Sequence, residues 1–235
     1  MTKRLLLAGV AVAAVLALAP AASARVIEIG SNGTPASPSC PERCEVLYRV
    51  TAYPGRIGGG LTPYRIPRNG WVVAYSVSLG NPSATQIRYF TQRPPSGQLG
   101  FGESAVRLSI LRKGKTGVWR NRYRLLAQSR VIRVRSYFGS KPTFVLGRPF
   151  RVKTGWIAAL TTPTWVPAFA VGLPRSNWWR SSRRRGRCGS SSSLAPPAAQ
   201  QRLLSVFTWG CGYFTTRPLY TVTYIPDNRK TSTSR

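Results

Sequence analysis

The sequence predicts an all-β protein, a two-sheet antiparallel sandwich of about ten strands. Short runs rich in Val, Ile, Tyr, Phe and Trp recur between clusters of Gly, Pro and Asn, the spacing of an all-β domain. Helix signals are nearly absent. Several runs also alternate apolar and polar side chains, as a strand with one buried face requires.

Taken in order, strands are expected at 46–52, 71–79, 86–90, 105–111, 123–135 with a break in the middle, 143–152, 156–160, 168–173, 204–209 and 219–225. Alternation is clearest in Val106-Arg107-Leu108-Ser109-Ile110, where the apolar side chains share one face, and in Ile132-Arg133-Val134-Arg135. Arg122 and Arg124 flank Tyr123 in the same way. At least four arginines are thus expected to project from strands as a basic sheet face. The stretch 156–174 carries no charge, but Pro163 and Pro167 would each break a membrane-spanning helix. Thr161-Thr162-Pro163-Thr164 reads instead as a turn between two buried strands, and Pro163-Thr164-Trp165-Val166-Pro167 as a rigid exposed turn.

Around this domain, placed at 46–226, lie three other segments, and within it one loop stands apart. Lys3 and Arg4 precede an apolar stretch ending at Ala19, and Ala22-Ser23-Ala24 offers the small residues of a cleavage site. Residues 1–24 therefore read as a secretory signal peptide, cut near Ala24, with a secreted, extracellular destination and no transmembrane segment afterwards. Residues 25–45 are rich in Ser, Pro and Gly and read as an exposed N-terminal segment, 180–200 as a basic low-complexity loop, and 227–235 as a polar tail. With 43% hydrophobic residues and seven tryptophans, the rest can build one real core.

An even number of cysteines in an exported chain implies two disulfides. Three pairings are possible for Cys40, Cys44, Cys188 and Cys211; locality favours Cys40 with Cys44 and Cys188 with Cys211. A zinc site is the competing use of four cysteines, but beyond the closely spaced Cys40 and Cys44 there is no second such pair, and no histidine accompanies them.

Charge is the most telling composition. The chain has 35 Lys and Arg against five carboxylates, Glu28, Glu42, Glu45, Glu103 and Asp227, and no histidine. Without Lys3 and Arg4 of the leader, the formal charge falls from +30 to about +28, which favours a polyanionic partner. Ser-His-Asp and Cys-His catalysis are impossible without histidine. Five acids allow a carboxylate pair by number, but Glu28 is expected in a loose leader, Glu42 and Glu45 flank Cys44 and Glu103 sits in a Gly-rich turn, so each reads as surface or a salt-bridge partner, and calcium binding has too few acids. Gly58-Gly59-Gly60 has neither the lysine nor the following helix of a phosphate loop. The chain reads as a non-enzyme without cofactor or metal.

Four stretches carry a resemblance: 66–77 (Ile-Pro-Arg-Asn-Gly-Trp-Val-Val-Ala-Tyr-Ser-Val), 106–112 (Val-Arg-Leu-Ser-Ile-Leu-Arg), 127–129 (Ala-Gln-Ser) and 150–160 (Phe-Arg-Val-Lys-Thr-Gly-Trp-Ile-Ala-Ala-Leu). Over roughly 63–174 the chain resembles uncharacterised exported β-sandwich proteins of high-GC Gram-positive bacteria. The resemblance implies a jelly-roll-like strand order and export, and no particular chemistry. Where that pattern has Gly-Asp, this chain has Gly155-Trp156, so a carboxylate is missing.

The candidate ligand-binding residues are basic and aromatic. Trp178, Trp179, Arg180, Arg183, Arg184, Arg185 and Arg187 crowd together just before Cys188 and a Gly-Ser run. Guanidinium groups clamp phosphate or sulfate oxygens while indoles stack on rings of a sugar or base; alternatively the two tryptophans plug the core and the arginines form a solvated loop. Trp71, Trp119, Trp156, Trp165 and Trp209 are further candidates for a sugar platform, Trp165 foremost because of its expected turn. Two functions follow: binding of an anionic polymer or glycan of the envelope or extracellular matrix through arginines, or adhesion to neutral glycans through exposed tryptophans. A structural component fixed in an acidic matrix by charge alone is a third.

Overall fold

A computed structural model describes residues 25–31, 35–92, 102–189 and 198–228. The expected signal peptide, the Ser run after Gly189 and the end of the polar tail lie outside these residues. The fold is all-β and sandwich-like, with fifteen strands and one α-helix among the described residues. Among the described residues no helix is long and apolar enough to cross a membrane.

The smaller sheet has the order β1 (Ile27–Ile29), β15 (Tyr220–Pro226), β4 (Gly70–Val77), β8 (Thr143–Val152). The larger runs β12 (Val206–Thr208), β6 (Arg122–Gln128), β5 (Ala105–Lys113), β9 (Ile157–Val166), β2 (Leu47–Ile57), β11 (Trp178–Ser181), β13 (Cys211–Phe214), with β3 (Gly60–Leu61) on β2 and β7 (Ile132–Arg133) on β5. The short pair β10 (Phe169–Ala170) and β14 (Arg217–Pro218) joins beside them, and every pairing is antiparallel.

Between the sheets one face of each strand is apolar: Val72 and Val222 of the smaller sheet, and Leu108, Ile110, Ala158 and Leu160 of the larger, are fully buried in one core. Each such Val, Leu or Ile contributes roughly 1.5–3 kcal/mol relative to exposure.

The opposite face of the larger sheet, expected to be solvated, is covered as well. Ser109 and Thr161 share a hydroxyl hydrogen bond of 2.6 Å and Thr161 and Thr51 one of 2.8 Å, all three side chains buried. Gln200 closes this layer. Its backbone N–H donates to Thr51 Oγ1 at 2.9 Å, its Nε2 to the carbonyls of Tyr123 (2.9 Å) and Ser205 (2.8 Å), and its Oε1 accepts from Trp209 Nε1 at 3.2 Å. Buried polar groups satisfied in this way hold the 198–209 segment against the sheet. Arg107 stays half-buried, whereas Arg124, Arg133 and Arg135 project outward as alternation requires.

Both disulfides take the pairing favoured by locality, Cys40–Cys44 and Cys188–Cys211. The departures from expectation have local causes. Residues 86–90 form no strand but α1 (Ala84–Thr91), started by a capping box in which Ser83 Oγ accepts from Gln86 N–H and Gln86 Oε1 accepts from Ser83 N–H. No turn interrupts 161–164; β9 runs through to Val166. Pro163 is tolerated because pairing with β5 ends at Thr161 and the register with β2 shifts between Tyr48 and Val50, opposite Trp165 and Thr162. Trp165 is therefore core, 1% exposed, packed on Phe90 and Phe138, its Nε1 donating to the Gly102 carbonyl at 2.8 Å.

The 25–45 segment is not simply exposed: β1 pairs with β15, and Ile29, Ser39 and Cys40 are buried. Glu28 is not in a loose leader but accepts from Thr221 Oγ1 at 2.5 Å and lies 4.0 Å from Lys141. The basic loop also starts later than expected, since Arg180 belongs to β11 and Ser181, Ser182 and Arg183 are buried.

Candidate functional site

Two turns at one end of the larger sheet build the principal cleft. β5 ends in Arg112-Lys113 and turns through Gly114-Lys115, and the connection from β8 to β9 is Lys153-Thr154-Gly155-Trp156. Both turns need glycine. A Cβ at Gly114 would stand 2.1 Å from the Trp119 carbonyl oxygen, and Gly155 has φ +82°. The second turn is pinned by Ile66 N–H donating to the Trp156 carbonyl (2.8 Å), Gly155 N–H donating to the Ile66 carbonyl (2.9 Å) and Thr154 N–H donating to Asn69 Oδ1 (3.0 Å). These bonds, with a bridge between Arg65 and Ile157, bring Arg65 to the cleft.

The resulting groove has a volume of about 700 Å³ and is lined by Arg65, Arg112, Lys113, Lys115, Lys153 and Trp156 among others, with no carboxylate among its described lining residues. A second cavity of about 110 Å³ adjoins it, since Arg65 and Lys113 line both. Its walls add Tyr53, Trp178 and Arg180. The indole of Trp178 packs by its benzo edge on Gly55, where a Cβ would come within 2.5–2.8 Å of three ring atoms. Arg180 is aimed by neutral acceptors: its Nη1 donates to Asn121 Oδ1 at 2.9 Å and to the Tyr123 hydroxyl at 3.2 Å, and Tyr123 shares a 2.8 Å hydrogen bond with the Tyr53 hydroxyl.

Electrostatically this is a set of cations without counter-charges. Burial draws the Lys113 ammonium below the ordinary lysine range, and repulsion from Arg180, Arg65 and Arg120 adds to the shift. The ion pairs among the described residues lie elsewhere, Arg133 with Glu103 (2.9 Å), Lys141 with Glu28 (4.0 Å) and Arg151 with Asp227 (2.6 Å).

A separate groove of about 390 Å³ lies beside the Cys188–Cys211 disulfide. Trp179 forms its floor, stacked on Tyr213 at 4.4 Å and edge-on to Phe169 at 5.5 Å, with its Nε1 donating to Thr216 Oγ1 at 2.8 Å. Arg183 lies over the Tyr48 ring at 4.8 Å, and Glu45 lines the rim.

The sequence-derived candidates are thus divided. Trp178 and Arg180 reach the basic groove; Trp179, Arg183 and Cys188 line the aromatic one; Trp165 is core. Arg184, Arg185 and Arg187 stand in an exposed turn before the disulfide. Trp209 is fully buried, stacked on Tyr123 at 4.4 Å, while Trp71 and Trp119 are the open indoles, 43% and 54% exposed, each with an arginine over its ring. Sequence reasoning missed Arg65, Arg112, Lys113, Lys115 and Lys153, although two short signals, a cation-glycine turn at 112–115 and another at 153–155, mark most of them. Comparison of the chain with protein-family models, curated proteins and solved structures gives no match.

Proposed function

We propose that this chain is an exported, non-enzymatic protein that binds anionic polymers of the cell envelope or extracellular space, and that the groove of Arg65, Arg112, Lys113, Lys115, Lys153 and Arg180 is where it does so. The observation carrying this reading is the 700 Å³ cleft lined by five of these cations and by no acid. Such a surface concentrates polyanions and gives up bound counterions when they arrive. Export is supported by the leader read from 1–24 and fits two formed disulfides. The absence of histidine and the dispersal of the carboxylates support a binding role over catalysis.

The test is retention of the mature, oxidised protein on immobilised anionic and neutral polymers, alongside a Lys115→Glu/Lys153→Glu variant. Retention on the anionic members, lost in the variant, is the expected result; equal retention of both proteins rejects the groove.

A second reading, adhesion to neutral glycans, is favoured by the Trp179–Tyr213 stack and the rings of Tyr48 and Phe214 beside it. It expects retention on a neutral glycan that persists in high salt and is weakened by Phe214→Ala, a change on a side chain 54% exposed. Salt-resistant retention left intact by that change rejects it.

A further inference from the structure

The basic groove divides the tasks of its lining residues by width. Its wide part, about 700 Å³, carries Arg112, Lys115 and Lys153, which lie outside the narrow part. The narrow part, about 110 Å³, is walled by the Trp178 indole and Arg180, with Arg65 and Lys113 shared with the wide part at the junction. A polymer fitted to this shape bears its negative charges on a backbone and its flat rings on side groups, so that charges lie in the wide channel while a ring enters the slot. Polyphosphate and simple polyol phosphates have the charge but no ring. Uronic acid polymers carry the charge on the ring itself. A duplex keeps its rings stacked away from such a slot. Single-stranded nucleic acid has both parts in the required arrangement, with bases free to stack on indoles and on guanidinium planes.

We infer that the groove binds single-stranded nucleic acid, with phosphates held by Arg112, Lys115 and Lys153 along the wide channel and by Arg65, Lys113 and Arg180 around the slot, and with one base in the slot against Trp178. This rests on the polyanion reading above and narrows it. Gly55 is part of the device, because the indole rests where any larger residue's Cβ would stand. Trp156 offers a second ring on the wall of the wide channel for a neighbouring base.

The experiment is fluorescence anisotropy of the mature, oxidised protein with a labelled oligothymidylate, in competition with inorganic polyphosphate, polygalacturonate and duplex DNA at equal anionic charge. Tryptophan fluorescence is followed in parallel. The expected result is preference for the single strand, quenching of tryptophan emission on binding, and a loss of about tenfold in oligonucleotide affinity for Trp178→Ala with polyphosphate affinity unchanged. Trp178→Phe, which keeps a ring on Gly55, retains most of the affinity and controls for misfolding. Polyphosphate or polygalacturonate competing as well as the single strand, or Trp178→Ala weakening all polyanions alike, overturns the nucleic-acid inference and leaves the polyanion reading standing. Binding of none of these polymers overturns both.

Discussion

Neutralising Lys115 and Lys153 together should flatten the salt dependence of polyanion binding by a definite amount. Six cations line the two connected cavities, Arg65, Arg112, Lys113, Lys115, Lys153 and Arg180. If each neutralises one phosphate of a single strand, the slope of log K against log salt is about −4, and affinity falls roughly 300-fold between about 50 and 200 mM salt. Lys115→Gln/Lys153→Gln leaves four contacts, a slope of about −3 and a loss of about 50-fold over the same range. Both side chains are exposed, so the fold should tolerate the change. The assay is anisotropy titration of oligothymidylate at several salt concentrations, with Arg184→Gln/Arg185→Gln/Arg187→Gln as the comparison. A flattened slope in that comparison with an unchanged slope in the lysine variant would refute the reasoning, since it would place the phosphate contacts in the exposed turn.

Three further outcomes are expected. Trp165→Ala should cost about 3–5 kcal/mol in urea unfolding through the cavity it leaves, and an unchanged midpoint would mean that the indole is not core. Gln200→Leu strands the carbonyls of Tyr123 and Ser205 and the Trp209 N–H, with a loss of about 1–3 kcal/mol; a neutral result would show that water replaces these bonds. Lys113 titrates lower in the folded chain than in the unfolded one, so its charge opposes folding below the folded-state value, and that cost disappears as pH rises through the unfolded lysine range. Lys113→Met, which keeps the apolar stem, should therefore leave Tm equal or higher at pH 7 in low salt, the gap closing in high salt or at alkaline pH, while polyanion affinity falls. A lower Tm in low salt at pH 7 counts against a strained cation cluster.

Strands whose two faces differ were readable from the chain: 143–152 coincides with β8, and 105–111 lies within β5. Reading failed where a tertiary partner overrode a local signal. Thr161-Thr162-Pro163-Thr164 looks like a turn only until the buried hydroxyl layer of Thr51 and Ser109 supplies partners for Thr161. The helix at 84–91 was announced by Ser83 and Gln86, but its Ile, Tyr and Phe content reads equally well as a strand. The short strand β11 was hidden because Trp178-Trp179-Arg180 runs straight into the arginine run that follows it. The groove was the least legible part, for its cations come from four separate stretches of chain that only the antiparallel turns bring together. The contiguous run 183–187 drew the eye instead, and its first member is buried against Tyr48.

The way Arg180 is held bears on how fast the groove can be occupied. A guanidinium fixed by a carboxylate must first break that pair before it meets an incoming anion, which puts an exchange step in front of capture. Arg180 is oriented by an amide oxygen of Asn121 and the hydroxyl of Tyr123, which aim it without cancelling its charge. The long-range field of the cluster would therefore be intact when an anion arrives, with no carboxylate among the described residues lining the groove to compete for it. For a polyanion that binds there, as proposed, association would be left to diffusion and steering, and selectivity among polyanions would fall to how long each one stays.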